Sequence, residues 1–384
     1  MPSVDLAVVG GGLAACSLVA QLRQRRFQGT IGLVEAGRGP GGRSSSRESR
    51  TAPGWRLDHG APCFNLTEPP PDELQSLLNR LEREGHLIPD CRPIVGLNSA
   101  GHFTQAPDNA LLTGKQFRGQ PSMASVCEGL LMMADPFLQT HYNKRIRWLE
   151  RDRNQWLLST EDKAWTLAAE RMVLSGNLLA HPRGKILLGW DAVPLRSAIA
   201  KGLDTQLDDV LSCVSASRAS IRWTCMIQLS DTQRPEITTD WPGQIWLDEG
   251  AQNRWPVERM ILQPQQSGGI GLVIHGIQES EPCISPEKQG PTAQARERMV
   301  LDVLPDLLAC LPGGESFLNE ARSWGVMQWG AAQPLNNPLP SSLQWCADSA
   351  IGFCGDWIET PGFGRAEGAL RSAINLAGML TPSS

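Results

Sequence analysis

Several features that metal and nucleic-acid sites need are missing from this chain of 384 residues. Its ten cysteines form no Cys-x-x-Cys pair and its six histidines form no His-x-x-x-His pair, which argues against a zinc or iron–sulfur centre. The net charge is −5, and the basic residues are nearly all arginines interspersed with acids, which argues against nucleic acid as a main partner. We therefore expect no metal site and a small molecule as the partner.

A long apolar run is also missing. The stretch from Leu6 to Ala20 is interrupted by glycines, ends in polar residues and is too short to cross a bilayer. No basic region precedes it, and cleavage within it would destroy the glycine turn described next. We therefore expect a soluble, cytoplasmic protein without a membrane span, and the oligomeric state stays open.

The most informative segment runs from Val4 to Glu35. A short apolar strand leads into the run Gly10-Gly11-Gly12, and an apolar helix and a second strand follow before Glu35. The spacing Gly10-x-Gly12-x-x-Ala15, with an acid about 20 residues later, is typical of a dinucleotide-binding turn. The start of the helix favours a pyrophosphate, and Glu35 is expected to accept hydrogen bonds from the adenosine ribose.

Two further segments favour FAD over NAD. Gly41-Gly42-Arg43 forms a second glycine turn soon after the ribose acid, and a strand near the C-terminus ends in Gly355-Asp356. An extended FAD needs a second loop beside its pyrophosphate, and a carboxylate at such a strand end can accept hydrogen bonds from the ribityl hydroxyls. The helix after Gly364 would direct the positive end of its dipole at the flavin pyrimidine. The predicted cofactor contacts are Gly10, Gly12, Leu13, Ala14, Ala15, Glu35, Ala36, Gly41, Gly42, Arg43, Gly60, Ala61, Gly355, Asp356, Arg365, Ala366, Glu367, Gly368 and Ala369.

These motifs resemble those of the flavin-containing amine oxidase superfamily, and the tail Gly364-Arg365-Ala366-Glu367-Gly368-Ala369 resembles its renalase-like branch. The resemblance covers nearly the whole chain and is specific at its two ends. It implies a two-domain oxidoreductase that holds FAD without a covalent link. It also implies a backbone contact to adenine at about Ile146.

The expected fold is α/β, with a discontinuous Rossmann-type FAD-binding domain and a substrate domain of an antiparallel sheet plus helices. Residues 1–66, 140–182 and 340–384 are assigned to the first domain, and 67–139 and 183–339 to the second. Within these, a helix is expected over 72–84, a hairpin over 92–105 and one continuous strand over 141–149. A helix from Ala293 is expected to stop at Pro305.

Catalytic residues have weaker signals. Amine oxidases of the resembled superfamily typically place a lysine near the flavin and an aromatic pair around the substrate nitrogen. This chain has one tyrosine, Tyr142, in a predicted strand, and none of its six lysines stands in a recognisable motif. The candidates for the substrate face are His275 near the end of a strand, Trp329, and Arg365 at the start of the last helix. Each also has a purely structural interpretation.

Three classes of function fit the sequence. The first is a renalase-like oxidase, which by resemblance would oxidise isomeric dihydronicotinamides through FAD with molecular oxygen as the acceptor. The second is an amine or desaturase-type flavin oxidase that acts on an apolar substrate. The third is a flavoprotein with a binding or assembly role. A dihydropyridine already donates hydride readily and needs no base, so the missing lysine and tyrosine favour the first class.

Overall fold

The structure is a computed structural model, and it describes residues 1–49, 52–152, 154–232, 234–278 and 292–381. Its strands in chain order are β1 (Ser3–Val9), β2 (Ile31–Val34), β3 (Ser46–Glu48), β4 (Arg56–Asp58), β5 (Phe64–Leu66), β6 (Leu87–Pro89), β7 (Ile94–Leu97), β8 (Phe103–Gln105), β9 (Lys115–Gly119), β10 (Leu138–His141), β11 (Ile146–Asp152), β12 (Gln155–Thr160), β13 (Thr166–Leu174), β14 (Ala219–Ser230), β15 (Gln244–Leu247), β16 (Val257–Pro264), β17 (Ile270–Gly276), β18 (Arg322–Pro334), β19 (Trp345–Cys346) and β20 (Ile351–Phe353).

The α-helices in chain order are α1 (Leu13–Gln24), α2 (Asp72–Arg83), α3 (Met123–Met132), α4 (Arg183–Leu187), α5 (Pro194–Ala198), α6 (Thr205–Ser215), α7 (Pro235–Thr238), α8 (Glu249–Arg254), α9 (Ala293–Ala309) and α10 (Ala366–Leu380). Short 3₁₀ turns cover Gly42–Ser44, Gly314–Phe317 and Ser341–Leu343.

The first sheet contains the dinucleotide motif. Strands β10, β2, β1, β13 and β20 are parallel to one another, and β12 and β11 extend β13 as an antiparallel ribbon. The apolar strands β1 and β2 are covered on both faces, which a parallel sheet requires. Helices α1, α2, α3 and α10 share the core on one face. Apolar residues of α5 and α6 join the core on the other face.

The second sheet has seven strands. Its order is β18-β14-β17-β16-β15-β7-β8, and every pair is antiparallel except β15 with β7. One face packs against α9 through Val300, Leu304, Leu307 and Leu308. Residues of the other face, among them Thr224 and His275, line the cleft described below. This mixed α/β architecture confirms the predicted fold class.

The sequence placed most of these elements correctly. The hairpin β7–β8 turns at Asn98–Gly101 as expected, and α2 ends one residue before its predicted end. The segment 67–139 contributes to both layers, because α2 and α3 join the first core while β7 and β8 join the second sheet. The division into domains stays a prediction. Within the described ranges, no helix has both the length and the apolar character that crossing a membrane requires.

The prediction of one strand over 141–149 is wrong. Strand β10 ends at His141 and pairs with β2, whereas β11 begins at Ile146 and pairs with β12. Between them Asn143 adopts a φ of +57°, which breaks a strand and which asparagine tolerates better than most residues. The amide of Lys144 then donates to the Glu35 carbonyl, so this loop borders the ribose acid.

The prediction that Pro305 stops its helix is also wrong. Helix α9 continues through Pro305 to Ala309. Leu307 and Leu308 beyond the proline are fully buried against the second sheet, together with Val300 and Leu304 before it. Burial of this continuous apolar stripe offsets the hydrogen bond that a proline removes.

Candidate functional site

The carboxyl ends of four parallel strands border a single cleft. Strands β1, β2, β13 and β20 all point their carboxyl ends into it, through Gly10, Glu35, Ser175 and Gly355. Ligands of open α/β sheets bind at this edge, because helices begin there and backbone N–H groups are free. The sequence motifs from opposite ends of the chain therefore meet in one place.

Two glycine turns interlock at the floor of this cleft. The Gly41 amide donates to the Gly11 carbonyl at 2.7 Å, and Gly41 forms a bridge with Gly12. A Cβ on Gly42 would lie 3.0 Å from the Cα of Gly12, and Gly42 has a φ of +51°. Any side chain there would separate the two turns. Gly12 is the N-cap residue of helix α1, and no side chain caps this end, so the first N–H groups of the helix remain for a ligand.

Glu35 is held by backbone amides. Its Oε2 accepts from the Gly11 N–H at 2.6 Å and its Oε1 accepts from the Gly37 N–H at 2.6 Å. The side chain is half-buried and lines the cleft. Its carboxylate therefore lies beside the first glycine turn, in the position expected for a ribose acceptor, and it retains lone pairs for a ligand.

Arg43 and Asp356 join the second glycine turn to the C-terminal strand. Arg43 donates to both oxygens of Asp356 at 2.6 Å, and it also donates to the Ala332 carbonyl at 3.0 Å. Both residues line the cleft. The carboxylate predicted to accept from a ribityl chain is thus oriented by a bidentate arginine from the second turn, which is a strong and directional pairing.

Helix α10 starts at the same cleft. Gly364, Arg365, Ala366 and Ala369 line it, and no side chain caps the helix. Arg365 itself is tied down, because it donates to the Ala110 carbonyl at 2.8 Å and to the Thr67 hydroxyl at 3.2 Å and lies 3.4 Å from Glu367.

Glu367 is fully buried beneath this helix start. It accepts from the Thr67 amide at 3.0 Å, from the Thr67 hydroxyl at 2.7 Å and from Arg371 at 3.0 Å. Burial alone would raise the pKa of the Glu367 carboxyl, but these hydrogen bonds hold it below its usual value. Glu367 therefore anchors the start of α10 to the chain at Thr67.

The opposite wall of the cleft is a polar patch on the second sheet. It consists of Arg222, Thr224, Gln244, Arg259 and His275. Thr224 and Arg259 are the cross-strand partners of His275 on its two sides, so the three side chains project from one face in a row. We call these five residues the sheet wall.

His275 occupies the centre of the sheet wall. Its Nδ1 lies 3.2 Å from Nη2 of Arg259, and its Nε2 is buried without a partner among the described residues. Burial, and then the charges of Arg259 and Arg222, lower the pKa of His275 well below its usual value. The imidazole is therefore neutral at pH 7.

Trp329 lies on β18 at the edge of the cleft. Its ring stacks on His59 with centroids 5.5 Å apart, and its Nε1 donates to the His59 carbonyl at 2.8 Å. Burial lowers the pKa of His59 to about 4, so this ring is also neutral at pH 7. Trp329 thus attaches the second sheet to the segment that follows the second glycine turn.

Five of the predicted site residues lie outside the cleft lining. Ala15 is fully buried in α1, Ala36 is exposed, and Ile146 is buried in the core behind the first sheet. Glu367 lies beneath the start of α10, and a Cβ on Gly368 would meet the Gly362 backbone. The other predicted cofactor residues and His275, Arg365 and Trp329 all line the cleft.

Sequence reasoning missed most of the sheet wall. Arg222, Thr224, Gln244 and Arg259 line the cleft but carry no motif. One signal was available, because Arg222 and Thr224 are polar residues two apart, and the residues on either side of them, Ile221, Trp223 and Cys225, are apolar. That spacing places both on one face, and a buried polar face indicates a site.

The fold combines a Rossmann-type domain with a second sheet on the opposite side of the cleft. The family model described as an NAD(P)-binding Rossmann-like domain matches residues 8–81. No curated protein sequence matches the chain significantly.

Solved oxidases have the same fold over the whole chain. Cyclohexylamine oxidase from Brevibacterium oxydans IH-35A is similar with a TM-score of 0.63 and 13% identity, covering 99% of both chains. Putrescine oxidase bound to putrescine is similar with a TM-score of 0.60 and 11% identity, covering 99% of both chains. A proposed protoporphyrinogen oxidase from Exiguobacterium sp. 255-15 has a TM-score of 0.61 and 12% identity, covering 99% of this chain and 98% of that one. The protein therefore shares its overall fold with these oxidases.

Proposed function

We propose that the protein is an FAD-dependent oxidoreductase of the renalase-like type, which transfers hydride from a small substrate to FAD with molecular oxygen as the acceptor. The observation that carries this proposal is the meeting of both glycine turns, Glu35, Asp356 and the start of α10 in one cleft. An NAD site alone would leave the second turn and the Arg43–Asp356 pair unexplained.

The cleft residues fit such a cofactor. The uncapped start of α1 suits a pyrophosphate, and the Glu35 carboxylate beside it suits a ribose. Asp356 and the uncapped start of α10 suit the ribityl chain and the flavin pyrimidine. The chemistry that FAD supplies when bound is the acceptance of hydride from a substrate carbon.

We also propose that FAD is held without a covalent link. Cys63 lines the cleft and would be the candidate for a thioether. Burial raises the pKa of the Cys63 thiol to about 11, and the thiolate is the reactive form of cysteine. Cys63 therefore remains an unreactive thiol, which accepts a hydrogen bond from Gln244 at 3.4 Å.

The side chains of the cleft favour a substrate that needs no deprotonation. Among the described lining residues there is no lysine and no tyrosine, and Tyr142 packs against the core around α1. His275 lines the cleft, but its Nδ1 accepts from Arg259, and its pKa is lowered well below the usual value by burial and by the charges of Arg259 and Arg222, so it is a weak base. A dihydronicotinamide donates hydride without a general base, whereas an amine at neutral pH is mostly protonated.

Two measurements test this proposal. Acid precipitation of the purified protein should release all yellow colour into the supernatant as FAD. Anaerobic mixing with isomeric dihydronicotinamides should bleach the flavin faster than mixing with putrescine or cyclohexylamine, and air should then restore the colour with release of hydrogen peroxide.

Three results would contradict it. FMN, or colour retained in the pellet, would overturn the cofactor assignment. Fast bleaching by amines and none by the dihydronicotinamides would support the amine oxidase alternative, which the shared fold with two amine oxidases favours. Bound FAD that no donor bleaches would support a binding or assembly role.

A further inference from the structure

The sheet wall carries more positive charge than its own residues balance. Arg222 pairs with Glu258 and donates to Gln278 at 2.7 Å. Arg259 has no carboxylate within salt-bridge distance among the described residues, and its one hydrogen bond there goes to His275. Its side chain also lies over the Trp246 ring, 4.5 Å from the centroid. Of these two guanidinium groups, Arg222 is paired with a described carboxylate and Arg259 is not.

Two donors of the sheet wall also lack acceptors. An arginine can only donate, so Nδ1 of His275 accepts from Arg259 and the ring proton of the neutral imidazole lies on Nε2. That Nε2, and Nε of Arg259, are buried with no partner among the described residues. Both residues line the cleft and are nearly buried, with Arg259 8% exposed and His275 4% exposed. Buried donors almost always have acceptors in native proteins, and a buried charge requires a counter-charge.

The acids of the cleft do not supply that counter-charge. The acidic residues that line it are Glu35, which is held by Gly11 and Gly37, and Asp356, which is held by Arg43. Both belong to the dinucleotide side. An ammonium group at the sheet wall would face two arginines, and none of the five residues of the wall is acidic.

We propose that the sheet wall, through Arg259 with His275 and Arg222, binds an oxyanion of the substrate, so that the substrate class is an organic carboxylate or phosphate and not a cationic amine. This inference rests on the proposed function, because it names the substrate class for the same cleft. The planar fork of Arg259 suits either oxyanion, and the neutral His275 adds a donor without adding charge.

The test is calorimetric titration of the purified flavin-loaded protein at low salt with four probes of similar size: benzoate, phenyl phosphate, benzylamine and benzyl alcohol. Benzoate or phenyl phosphate should bind at least about tenfold more tightly than benzylamine and benzyl alcohol, since a charge-assisted hydrogen bond contributes about that factor. The tighter of the two anions identifies the group that the substrate carries. Tighter binding of benzylamine would overturn the inference.

Substitutions test whether Arg259 is the residue that binds the anion. Arg259→Gln should weaken binding of the anion about tenfold or more, and Arg259→Lys should restore part of it, because the charge returns without the fork. Arg322→Gln, on the exposed edge strand β18, is the matched control and should bind as the wild type does. Unchanged anion binding in a folded Arg259→Gln protein would overturn the inference. Should that variant not fold, the ranking of the four probes on the wild type decides.

The flavin spectrum of the same samples separates this inference from the proposed function. Anion binding by protein that retains no flavin would overturn the proposed function and support the oxyanion site. Retained flavin that a donor reduces, with no anion binding, would overturn the oxyanion site alone.

Discussion

The two walls of the cleft are built by different means. On the first-sheet side, the groups that face a ligand are mostly backbone amides, at strand ends, in glycine turns and at the uncapped starts of α1 and α10. On the second-sheet side, they are the side chains of Arg222, Thr224, Gln244, Arg259 and His275, which project from paired strands.

This difference matters for function. Backbone groups in a tight turn can recognise a shared part such as a pyrophosphate, but they cannot be exchanged one at a time. Side chains on a sheet can change without moving the strands that carry them. We infer that the first wall sets the cofactor and that the second wall sets the substrate.

The largest expected effect concerns Asp58, which joins the two regions. On the first-sheet side it accepts hydrogen bonds from the Ser46 hydroxyl and the Met123 amide. On the second-sheet side it accepts a hydrogen bond from Gln263 of β16 at 2.7 Å. Burial, opposed by these hydrogen bonds, raises the pKa of Asp58 from 3.8 to about 7. The folded protein therefore binds a proton at Asp58 more tightly than the unfolded chain does. The contribution of this protonation to the free energy of unfolding is fully present below pH 4 and is lost as the pH rises to about 7.

Asp58→Asn should remove that dependence. Its stability relative to the wild type should rise between pH 4 and pH 8 by up to about 4 kcal/mol, at about 1.4 kcal/mol per pKa unit. The low pKa of His59 acts in the opposite direction over the same range, so the difference between the two proteins is the quantity to measure, by urea unfolding at both pH values. Asp302→Asn, on the exposed face of α9, is the control. A difference independent of pH would contradict this prediction.

The next effect tests whether the first wall has room for an added side chain beside the second glycine turn. A Cβ on Gly60 would overlap the Arg43 carbonyl oxygen, which accepts from the Ala61 amide at 2.8 Å. Gly60→Ala should therefore displace the second glycine turn, at about 1–3 kcal/mol, and abolish most flavin retention. In Gly39→Ala the new Cβ meets nothing within 4 Å, and this variant should retain flavin normally. Flavin content after gel filtration is the readout, and equal retention by both variants would show that the turn adapts.

The third effect concerns Glu35, where we expect weaker flavin binding and not the loss of most flavin. Glu35→Gln keeps the shape but removes the charge that Gly11 and Gly37 stabilise beside the turn. Losing charge-assisted hydrogen bonds of about 1.5–3 kcal/mol should weaken FAD binding about 10- to 100-fold. Equilibrium titration of the apoprotein with FAD measures this, with Glu170→Gln, at the exposed position of β13, as the control. An unchanged dissociation constant would remove Glu35 from the site.

The smallest effect concerns Trp329. Trp329→Phe keeps an aromatic ring over His59 and loses the hydrogen bond from Nε1 to the His59 carbonyl. We expect a loss of about 1 kcal/mol in the free energy of unfolding and normal flavin content. Thermal unfolding and the flavin spectrum check both points. A large loss of flavin would mean that the second sheet also holds the cofactor, which would weaken the distinction between the two walls.

The sequence by itself determined the first wall and most of the fold. Glycine turns, a ribose acid and helix starts are local features, because each depends on conformations available to a few consecutive residues, such as the φ of +108° at Gly10. Strand and helix positions followed from apolar periodicity for the same reason. The errors at His141–Ile146 and Pro305 arose where a neighbouring strand or a buried stripe outweighed local preference.

Only the tertiary structure decided the sheet wall. Arg222, Arg259 and His275 lie on three different strands, and their meeting depends on the register of β14, β17 and β16. Register is set by pairing between distant segments, and a shift of one residue would turn each side chain to the opposite face. The same holds for the Arg43–Asp356 pair, whose members are 313 positions apart and meet because β20 lies beside β13 in the parallel sheet.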